Sequence, residues 1–371
     1  MALMVFIVIP LISPQKGRLF LQKTIYVICW FILLTALSQL GLLIWSPNFE
    51  NLVMINPYDS SKIFRSTMFT QALYLLAAFS TFLFSKLFYK RQWDKYIFSG
   101  VIFLALYGLF EFIYFLIFNQ NGDFISNRVF GDGEIGSGSL FQTMTIGGLG
   151  LERLKSLTGE PSMYAFTVLP FWIYTLHTRN KCSSLLFLVT LILSTSTTAI
   201  IGIIIYLLVR FRYFGIKDSF IKYFLILLMI VIILIGPIIM DVIQLLVVDK
   251  ITLTNISGID RYNNFINSMD FFINTSIISK LFGVGFGYIR STDMFSTLIV
   301  NNGIIGFSII SMIFGYPLWK LENNYRNIGL KASLIVIYFT MMISVSEFSY
   351  LSIWLFLGMA YNQVDLERNR M

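Results

Sequence analysis

Charged side chains that could take part in chemistry lie just before two apolar stretches of the sequence. Arg153 and Glu160 precede one stretch, and Arg290 and Asp293 precede the other. Arginine presents a planar fork of donors that matches the oxygens of a phosphate. A carboxylate at a water–lipid boundary can accept a proton from a hydroxyl group. The pattern suits a substrate with a phosphate at the lipid surface and a sugar hydroxyl in water.

A purely structural interpretation of these charges stays open. Charged side chains at the boundary of a bilayer reach water at modest cost, so the same residues could be solvated loop charges that anchor helix ends. Metal chemistry is not expected from the cysteines, because Cys29 lies within an apolar stretch and Cys182 in a basic connector. At that separation they can form neither a disulfide nor a shared metal site. We predict no metal and no cofactor.

The composition places the chain in a membrane. Hydrophobic residues make up 57% of its 371 residues and charged residues 12%, with a mean hydropathy of +0.77. A soluble domain carries about 25% charged residues, so most soluble enzymes, disordered proteins and nucleic-acid binders are excluded. Lipid requires each crossing segment to satisfy its own backbone hydrogen bonds, which favours helices. We therefore predict an all-α polytopic membrane protein, with residues 1–371 forming a single integral membrane domain.

Apolar runs of about 20 residues, the length that spans a bilayer, mark the individual helices. The clear runs are 24–45, 66–88, 96–118, 161–177, 223–243 and 294–319. Two longer runs, 183–209 and 332–362, have basic residues on both flanks, so we interpret each as a hairpin of two short arms. Their turns are predicted at 194–198 and 346–349. A short run at 1–12 makes the total ten or eleven transmembrane helices.

The net charge of +8 is explained by membrane insertion. With this topology, the predicted inner connectors hold eighteen of the 27 basic residues but five of the 19 acidic ones. Cytoplasmic connectors of membrane proteins are enriched in lysine and arginine, so the basic excess orients the chain in the bilayer. It indicates no nucleic-acid partner, and we expect none.

Two outer segments are long enough to hold a site. The first, 119–160, is rich in glycine, and we predict a short hairpin or irregular loop followed by a helical turn near 151–157. The second, 244–293, has apolar residues at helical spacing between 265 and 277, which predicts an interfacial amphipathic helix. Arg261 stands at the start of this helix, and the glycines of 281–287 permit tight backbone turns after it.

Several polar residues fall inside or beside apolar runs. Glu111 is costly in lipid, so we expect it to be protonated, paired within the bundle or placed on a substrate path. Asn301 could line the reaction cavity or bond a neighbouring helix, and Glu347 is a plausible cavity residue. His177, the single histidine, lies at the cytoplasmic end of a run and is expected to be structural.

Three motifs in order carry a family resemblance. Residues 258–306, which read GIDRYNNFINSMDFFINTSIISKLFGVGFGYIRSTDMFSTLIVNNGIIG, resemble the signature of the O-antigen polymerase and ligase superfamily. That signature has an arginine opening an outer amphipathic helix, a glycine-rich turn and a polar residue at the next helix mouth. Arg153 followed by GEPSMYA (159–165) resembles the motif before a mid-chain helix in Wzy-type O-antigen polymerases. LSTSTTAI (193–200) resembles a hydroxyl-rich turn shared across the superfamily.

The resemblance implies an inverting, metal-independent glycosyltransferase with a GT-C-like helical bundle in the bacterial inner membrane. Such enzymes transfer a growing glycan en bloc from undecaprenyl diphosphate to the sugar of a new lipid-linked repeat unit, at the periplasmic face. The implied partners are undecaprenyl diphosphate-linked oligosaccharides as donor and acceptor, together with the lipid bilayer. A chain-length regulator and a flippase are further candidate partners.

The resemblance also implies roles for individual residues. Arg153 and Arg261 would hold the donor diphosphate and stabilise the leaving group, and Arg290 is a further candidate for phosphate contact. Glu160 or Asp293 would deprotonate or orient the acceptor hydroxyl, with Glu160 favoured. Candidates for lining the substrate cavity are Tyr164, Asn301 and Glu347.

Two alternatives to a polymerase stay open. An O-antigen ligase would transfer the glycan to lipid A-core, but the ligase branch typically has a histidine where this chain has Thr292 and Asp293. It also often has an arginine where this chain has Thr197, and both departures favour a polymerase. The non-enzyme alternative is a transporter or flippase of lipid-linked oligosaccharides. Transporters tend to contain repeats and broken helices, and the sequence has no evident repeat.

Overall fold

The computed structural model describes residues 9, 11, 13–45, 47–122, 124–125, 142–146, 149–178, 181–215, 218–220, 222, 252 and 256–369. The chain forms two compact units, each assembled from segments that are distant in the sequence. The first unit comprises Met1–Lys90, Asp260–Glu322 and Met341–Met371. The second unit comprises Arg91–Ile259 and Asn323–Thr340.

Helices dominate the described part of the chain. They are α1 (Pro14–Ile44), α2 (Ser66–Phe88), α3 (Asp94–Phe118), α4 (Pro161–Thr178), α5 (Lys181–Leu193), α6 (Thr197–Phe214), α7 (Ile256–Asn274), α8 (Ile277–Phe282), α9 (Met294–Lys320), α10 (Tyr325–Ser344) and α11 (Leu351–Arg368). A two-stranded antiparallel sheet pairs β1 (Thr143–Ile146) with β2 (Leu149–Glu152).

Six helices among the described residues are long and apolar enough to cross a bilayer. They are Pro14–Ile44, Ser66–Phe88, Arg91–Phe118, Thr197–Phe214, Met294–Lys320 and Tyr325–Ser344. The chain is therefore a helical multi-pass membrane protein, as its composition predicts. The run at 223–243 and nearly all of the run at 1–12 lie outside the described residues, so the total of ten or eleven helices stays a prediction.

In the first unit, basic and acidic side chains meet where several helices share one end. Lys16 Nζ, near the start of α1, donates a hydrogen bond to the backbone at the end of α2 at 2.7 Å. Lys86 Nζ, also at the end of α2, lies 3.3 Å from Asp365 near the end of α11. The N–H of Glu322, just after α9, donates to Glu367 at 3.1 Å. We call this the basic end of the first unit.

The opposite end of the first unit gathers its loops, and we call it the loop end. Residues 47–65 follow α1 there, residues 283–293 precede α9, and residues 345–350 precede α11. An apolar cluster of buried side chains holds the first two loops to the helices below them. Its members are Leu42, Leu52, Met68, Val284, Tyr288, Ile289 and Val300. Burial of these side chains gives the loops a fixed platform.

In the second unit, the loop before α4 runs down beside α3. Ser156 Oγ donates to the carbonyl of Leu104 at 2.7 Å, and a Cβ on Gly108 would lie 2.7 Å from Leu154 Cδ2. Leu104 is about 20 Å along the helix axis from the end of α3 at Phe118, at 1.5 Å per residue. Non-helical backbone at such depth is tolerated when protein covers it or when it lines a water-filled cavity.

The sequence predicts two of the helix breaks and the hairpin of the first outer segment, but not a third helix break. Residues 194–196 interrupt the run at 183–209, and residues 345–350 interrupt the run at 332–362, both as expected. The predicted hairpin in 119–160 is present as β1 and β2, but residues 151–152 belong to a strand and the helical turn follows at Ser156–Thr158. The expected continuous helix at 294–319 is interrupted at Gly303, whose φ is 65°.

Candidate functional site

The first unit brings Arg290 and Glu347 together at its loop end. A terminal nitrogen of the Arg290 guanidinium lies 2.5 Å from Glu347 Oε1. The two side chains are 43% and 23% exposed, so the ion pair remains accessible. Glu347 also accepts a hydrogen bond from Ser349 Oγ at 2.5 Å. A residue predicted to contact phosphate and a residue predicted to line a cavity therefore form one charged site, which we call the Arg290–Glu347 pair.

Backbone pairing fixes the segment that carries Arg290. An antiparallel β-bridge joins Met54 to Ile289, and the N–H of Arg290 donates to the carbonyl of Val53 at 3.0 Å. The loop after α1 thus lies against the loop before α9 as a minimal strand pair. Its hydrogen bonds restrict where the guanidinium can reach.

Asn301, inside α9, binds the same segment through its side chain. Its Oδ1 accepts the N–H of Ile289 at 3.0 Å, and its Nδ2 donates to the carbonyl of Ile289 at 2.9 Å. The side chain is 3% exposed. The sequence analysis expects Asn301 to line the cavity or to bond a neighbouring helix. In the structure, both of its polar atoms bind the backbone of Ile289, in the loop next to Arg290.

The interruption of α9 provides acceptors for the glycine-rich loop. Where the helix breaks at Gly303, the carbonyls of Val300 and Asn301 accept the N–H groups of Val284 and Gly285, at 2.9 and 3.0 Å. The backbones approach so closely that a Cβ on Gly303 would lie 2.4 Å from backbone atoms of Leu281, near the end of α8, and 2.7 Å from the backbone nitrogen of Gly283. The break therefore anchors residues 283–285 within the protein.

Gln39, in α1, ties the loop 47–65 to the loop 283–293. Its Oε1 accepts the N–H of Phe64 and the hydroxyl of Tyr288, each at 2.7 Å, and its Nε2 donates to the carbonyl of Val284 at 3.1 Å. Sequence reasoning missed both Gln39 and the loop after α1. A buried glutamine in an otherwise apolar run was the available signal, because a polar side chain in lipid needs partners.

Asp293 caps the N-terminus of α9. Its carboxylate accepts the N–H of Ser296 at 2.7 Å, and it also binds the hydroxyls of Ser296 and Ser291. This is ordinary N-cap geometry, in which a side-chain oxygen satisfies a backbone donor of the first turn. The side chain is buried, and its observed contacts fit the anchoring role that the sequence analysis leaves open.

In the second unit, Arg153 binds the break between α5 and α6. Its Nε donates to the hydroxyl of Thr195 and a terminal nitrogen donates to the Thr195 carbonyl, each at 3.0 Å, while the other terminal nitrogen binds Gln142. Burial lowers the pKa of the Arg153 guanidinium, and the Glu160 carboxylate acts in the opposite direction. Arg153 therefore connects the sheet-bearing loop to the hydroxyl-rich turn, the two motifs of the second unit.

Glu160 lies at the start of α4, close enough to Arg153 for their charges to interact. Its Oε2 accepts a hydrogen bond from Ser162 Oγ at 3.0 Å, and the side chain is partly exposed. Tyr164, one turn further along, is fully buried. Glu160 is therefore more accessible to a substrate than Tyr164.

Glu111 finds its partner in the loop that lies beside α3. Lys155 Nζ lies 3.7 Å from Glu111 Oε1, and the two side chains are 0% and 2% exposed. The expectation of a partner within the bundle is confirmed. Lys155 itself was not predicted, because it belongs to an outer segment and nothing in its surroundings marks it as buried.

Arg261 and His177, two further residues considered in the sequence analysis, lie in α7 and α4. Arg261 is partly buried in the second turn of α7, the helix predicted to be amphipathic. His177 lies in the last turn of α4, where Nδ1 is 2.8 Å from the Tyr325 carbonyl and Nε2 is 3.2 Å from the Tyr206 hydroxyl. These contacts agree with a structural role for the histidine. Neither contact involves the Arg290–Glu347 pair.

An open apolar groove of about 340 Å³ lies between α9 and α11 in the first unit. It is lined by Ile309, Met312, Ile313, Tyr316 and Tyr361. Within the described residues, no three histidine, cysteine or carboxylate side chains meet in a way that could hold a metal ion.

Comparisons with protein-family models, with curated proteins and with solved structures returned no match to this chain.

Proposed function

We propose that the chain is a polysaccharide polymerase of the Wzy type, built as a GT-C-like helical bundle. It would transfer a growing glycan from undecaprenyl diphosphate to the sugar of a new lipid-linked repeat unit. The reaction would take place at the outer face of the bacterial inner membrane. The observation that carries this proposal is the Arg290–Glu347 pair, an accessible arginine and carboxylate 2.5 Å apart at one end of a membrane-embedded unit.

The two groups have the properties that this transfer needs. A diphosphate leaving group gains negative charge as its bond to the sugar breaks, and a positioned guanidinium stabilises that charge. The acceptor hydroxyl must lose a proton as it attacks, and a nearby carboxylate can take it. A reaction with lipid-linked substrates also requires the site to lie near a membrane surface, which the end of a membrane-spanning bundle satisfies.

The remaining predicted residues keep supporting roles in the proposal. Arg153 and Arg261 stay candidates for diphosphate contact, and Glu160 is the alternative base because it is partly exposed. Asp293 is the weaker base candidate, since it caps α9 and binds two serines. A chain-length regulator and a flippase stay expected partners.

One observation favours the non-enzyme alternative, a transporter of lipid-linked oligosaccharides. Broken helices are typical of transporter binding sites, and α9 is broken at Gly303. In this chain, however, the carbonyls freed at the break are bound by Val284 and Gly285. Because the loop already occupies these carbonyls, they are not available to bind a transported substrate or ion. The enzyme is therefore the better supported candidate.

Reconstitution tests the proposal. Purified protein in vesicles is supplied with undecaprenyl diphosphate-linked repeat units, and the products are separated by size. We expect a ladder of longer glycans on the lipid carrier, absent with Arg290→Gln and retained with Lys62→Gln, an exposed basic residue at the same loop end. Glycan that forms only when lipid A-core is added would show a ligase and contradict the polymerase.

A further inference from the structure

The Arg290 guanidinium is a potential anion-binding group, and in this structure the carboxylate of Glu347 occupies it. One nitrogen of Arg290 contacts Glu347 at 2.5 Å, and 43% of the arginine side chain is exposed. A phosphate group carries more charge than a carboxylate and also binds the planar fork of arginine with two parallel hydrogen bonds. Phosphate can therefore compete with Glu347 for the same guanidinium.

The Glu347 side chain has few contacts to lose in such an exchange. They are with Arg290 and with Ser349. On the other side of the pair, the backbone of Arg290 is held by Val53, and the preceding residue is held by Asn301. Release of the carboxylate therefore requires only rotation of the Glu347 side chain.

The backbone around Glu347 is anchored close by. The carbonyl of Phe348 accepts a hydrogen bond from Trp354 Nε1 at 2.7 Å, and the Phe348 ring packs on Phe286 at 5.8 Å between centroids. Because the next residue is fixed in this way, release from Arg290 moves the Glu347 side chain and leaves the segment in place. The freed carboxylate therefore stays within reach of whatever binds at Arg290.

We propose that Glu347 is the general base of the transfer and that Arg290 holds it until a donor diphosphate arrives. This inference rests on the proposed function. When diphosphate takes the guanidinium, Glu347 is released to face the acceptor. The acceptor hydroxyl oxygen then forms a bond to the anomeric carbon, and the carbon–oxygen bond to the diphosphate breaks, with its electron pair going to the leaving group. The hydroxyl proton passes to the Glu347 carboxylate.

The arrangement makes donor binding a condition for acceptor activation. Without a donor, the carboxylate is bound to Arg290 and is not free to contact the acceptor hydroxyl group. With a donor, the same arginine stabilises the leaving group while the base becomes available. The pair thereby couples the two halves of the reaction, and it opposes activation of the acceptor before the donor is present.

Titration with inorganic pyrophosphate tests the exchange in the full-length protein, independently of turnover. We expect Glu347→Gln to bind pyrophosphate about two- to fivefold more tightly than the native chain, because an exposed ion pair no longer has to be broken. Arg290→Gln should weaken binding more than tenfold. Glu50→Gln, an exposed carboxylate at the same loop end, should leave it unchanged. Equal or weaker binding by Glu347→Gln would overturn the exchange.

Turnover with lipid-linked repeat units tests the role of the base. Glu347→Gln should lower kcat at least 100-fold, the usual contribution of a general base, without raising KM. Glu347→Asp, which keeps a carboxylate, should recover part of kcat and so shows that loss in the glutamine variant is not a folding defect. Full kcat in Glu347→Gln would refute Glu347 as the base while leaving the polymerase intact. No product from the native chain would instead refute the proposed function, and the pyrophosphate result would still decide the exchange.

Discussion

At the scale of single residues, burial gives the Lys155–Glu111 ion pair a large energetic consequence. Both side chains are almost completely buried, at 0% and 2% exposure. Removing one partner of a buried pair leaves an uncompensated charge, which typically costs about 3–5 kcal/mol. Replacing both partners by apolar residues avoids that penalty.

Lys155→Met is therefore expected to lower the thermal unfolding temperature in detergent substantially, whereas Lys155→Met combined with Glu111→Leu should recover most of the loss. Lys181→Met, at an exposed lysine that begins α5, is the matched control and should have little effect. A double variant no more stable than Lys155→Met would contradict the interpretation that the two buried charges compensate each other.

The same pair shows how far residue-level prediction reaches. A carboxylate in an apolar run must be neutral or paired, so the need for a partner at Glu111 follows from the sequence alone. The identity of that partner does not, because Lys155 comes from a loop that folds back beside α3. Likewise, Arg290 and Glu347 were each predicted as candidates, but their contact depends on the loops around them.

At the scale of elements, the break in α9 shows which features of a helix hydropathy can predict and which depend on tertiary contacts. Hydropathy predicts helices such as Ser66–Phe88 with the observed bounds, because a span must be apolar over its whole length. It does not reveal Gly303, since isoleucines follow on its far side and the run continues. The break depends on hydrogen bonds to residues 284–285, which a local pattern does not contain.

Gly303→Ala should destabilise the first unit and reduce activity. A residue with a side chain at φ 65° is strained by about 1–3 kcal/mol, and the added Cβ would also clash with the backbone of Leu281 and Gly283. Gly315→Ala, on the same helix, meets nothing within 4 Å and should be neutral or slightly stabilising. Thermal unfolding of the two variants, measured side by side, checks this. Equal unfolding temperatures would show that the break is not required.

At the scale of the whole molecule, charge orients the chain. Lysines and arginines accumulate in one set of connectors, which the positive-inside rule assigns to the cytoplasm. In the first unit, Lys16 and Lys86 both lie at the basic end, where Lys16 binds the carbonyl of Leu87 and Lys86 pairs with Asp365, as that assignment requires. The loop end, with Arg290 and Glu347, is accordingly expected to face the periplasm.

Cysteine labelling in intact cells checks this orientation. In a background without Cys29 and Cys182, which are both exposed, single cysteines replace Glu50 at the loop end or Lys90 at the basic end. Glu50→Cys should react with a membrane-impermeant maleimide, and Lys90→Cys should react only after the cells are permeabilised. The reverse pattern would place the Arg290–Glu347 pair in the cytoplasm and rule out a periplasmic reaction.

The proposed polymerase must break a bond between a glycan and a lipid diphosphate at Arg290. The most direct measurement is the amount of undecaprenyl diphosphate released by purified protein in vesicles, compared with the number of new glycan linkages. We predict one diphosphate released for each linkage formed by the native chain and by Lys62→Gln, and at least 100-fold slower release by Arg290→Gln. Lipid-linked repeat units that cross the bilayer with no diphosphate released would contradict the account and identify a transporter.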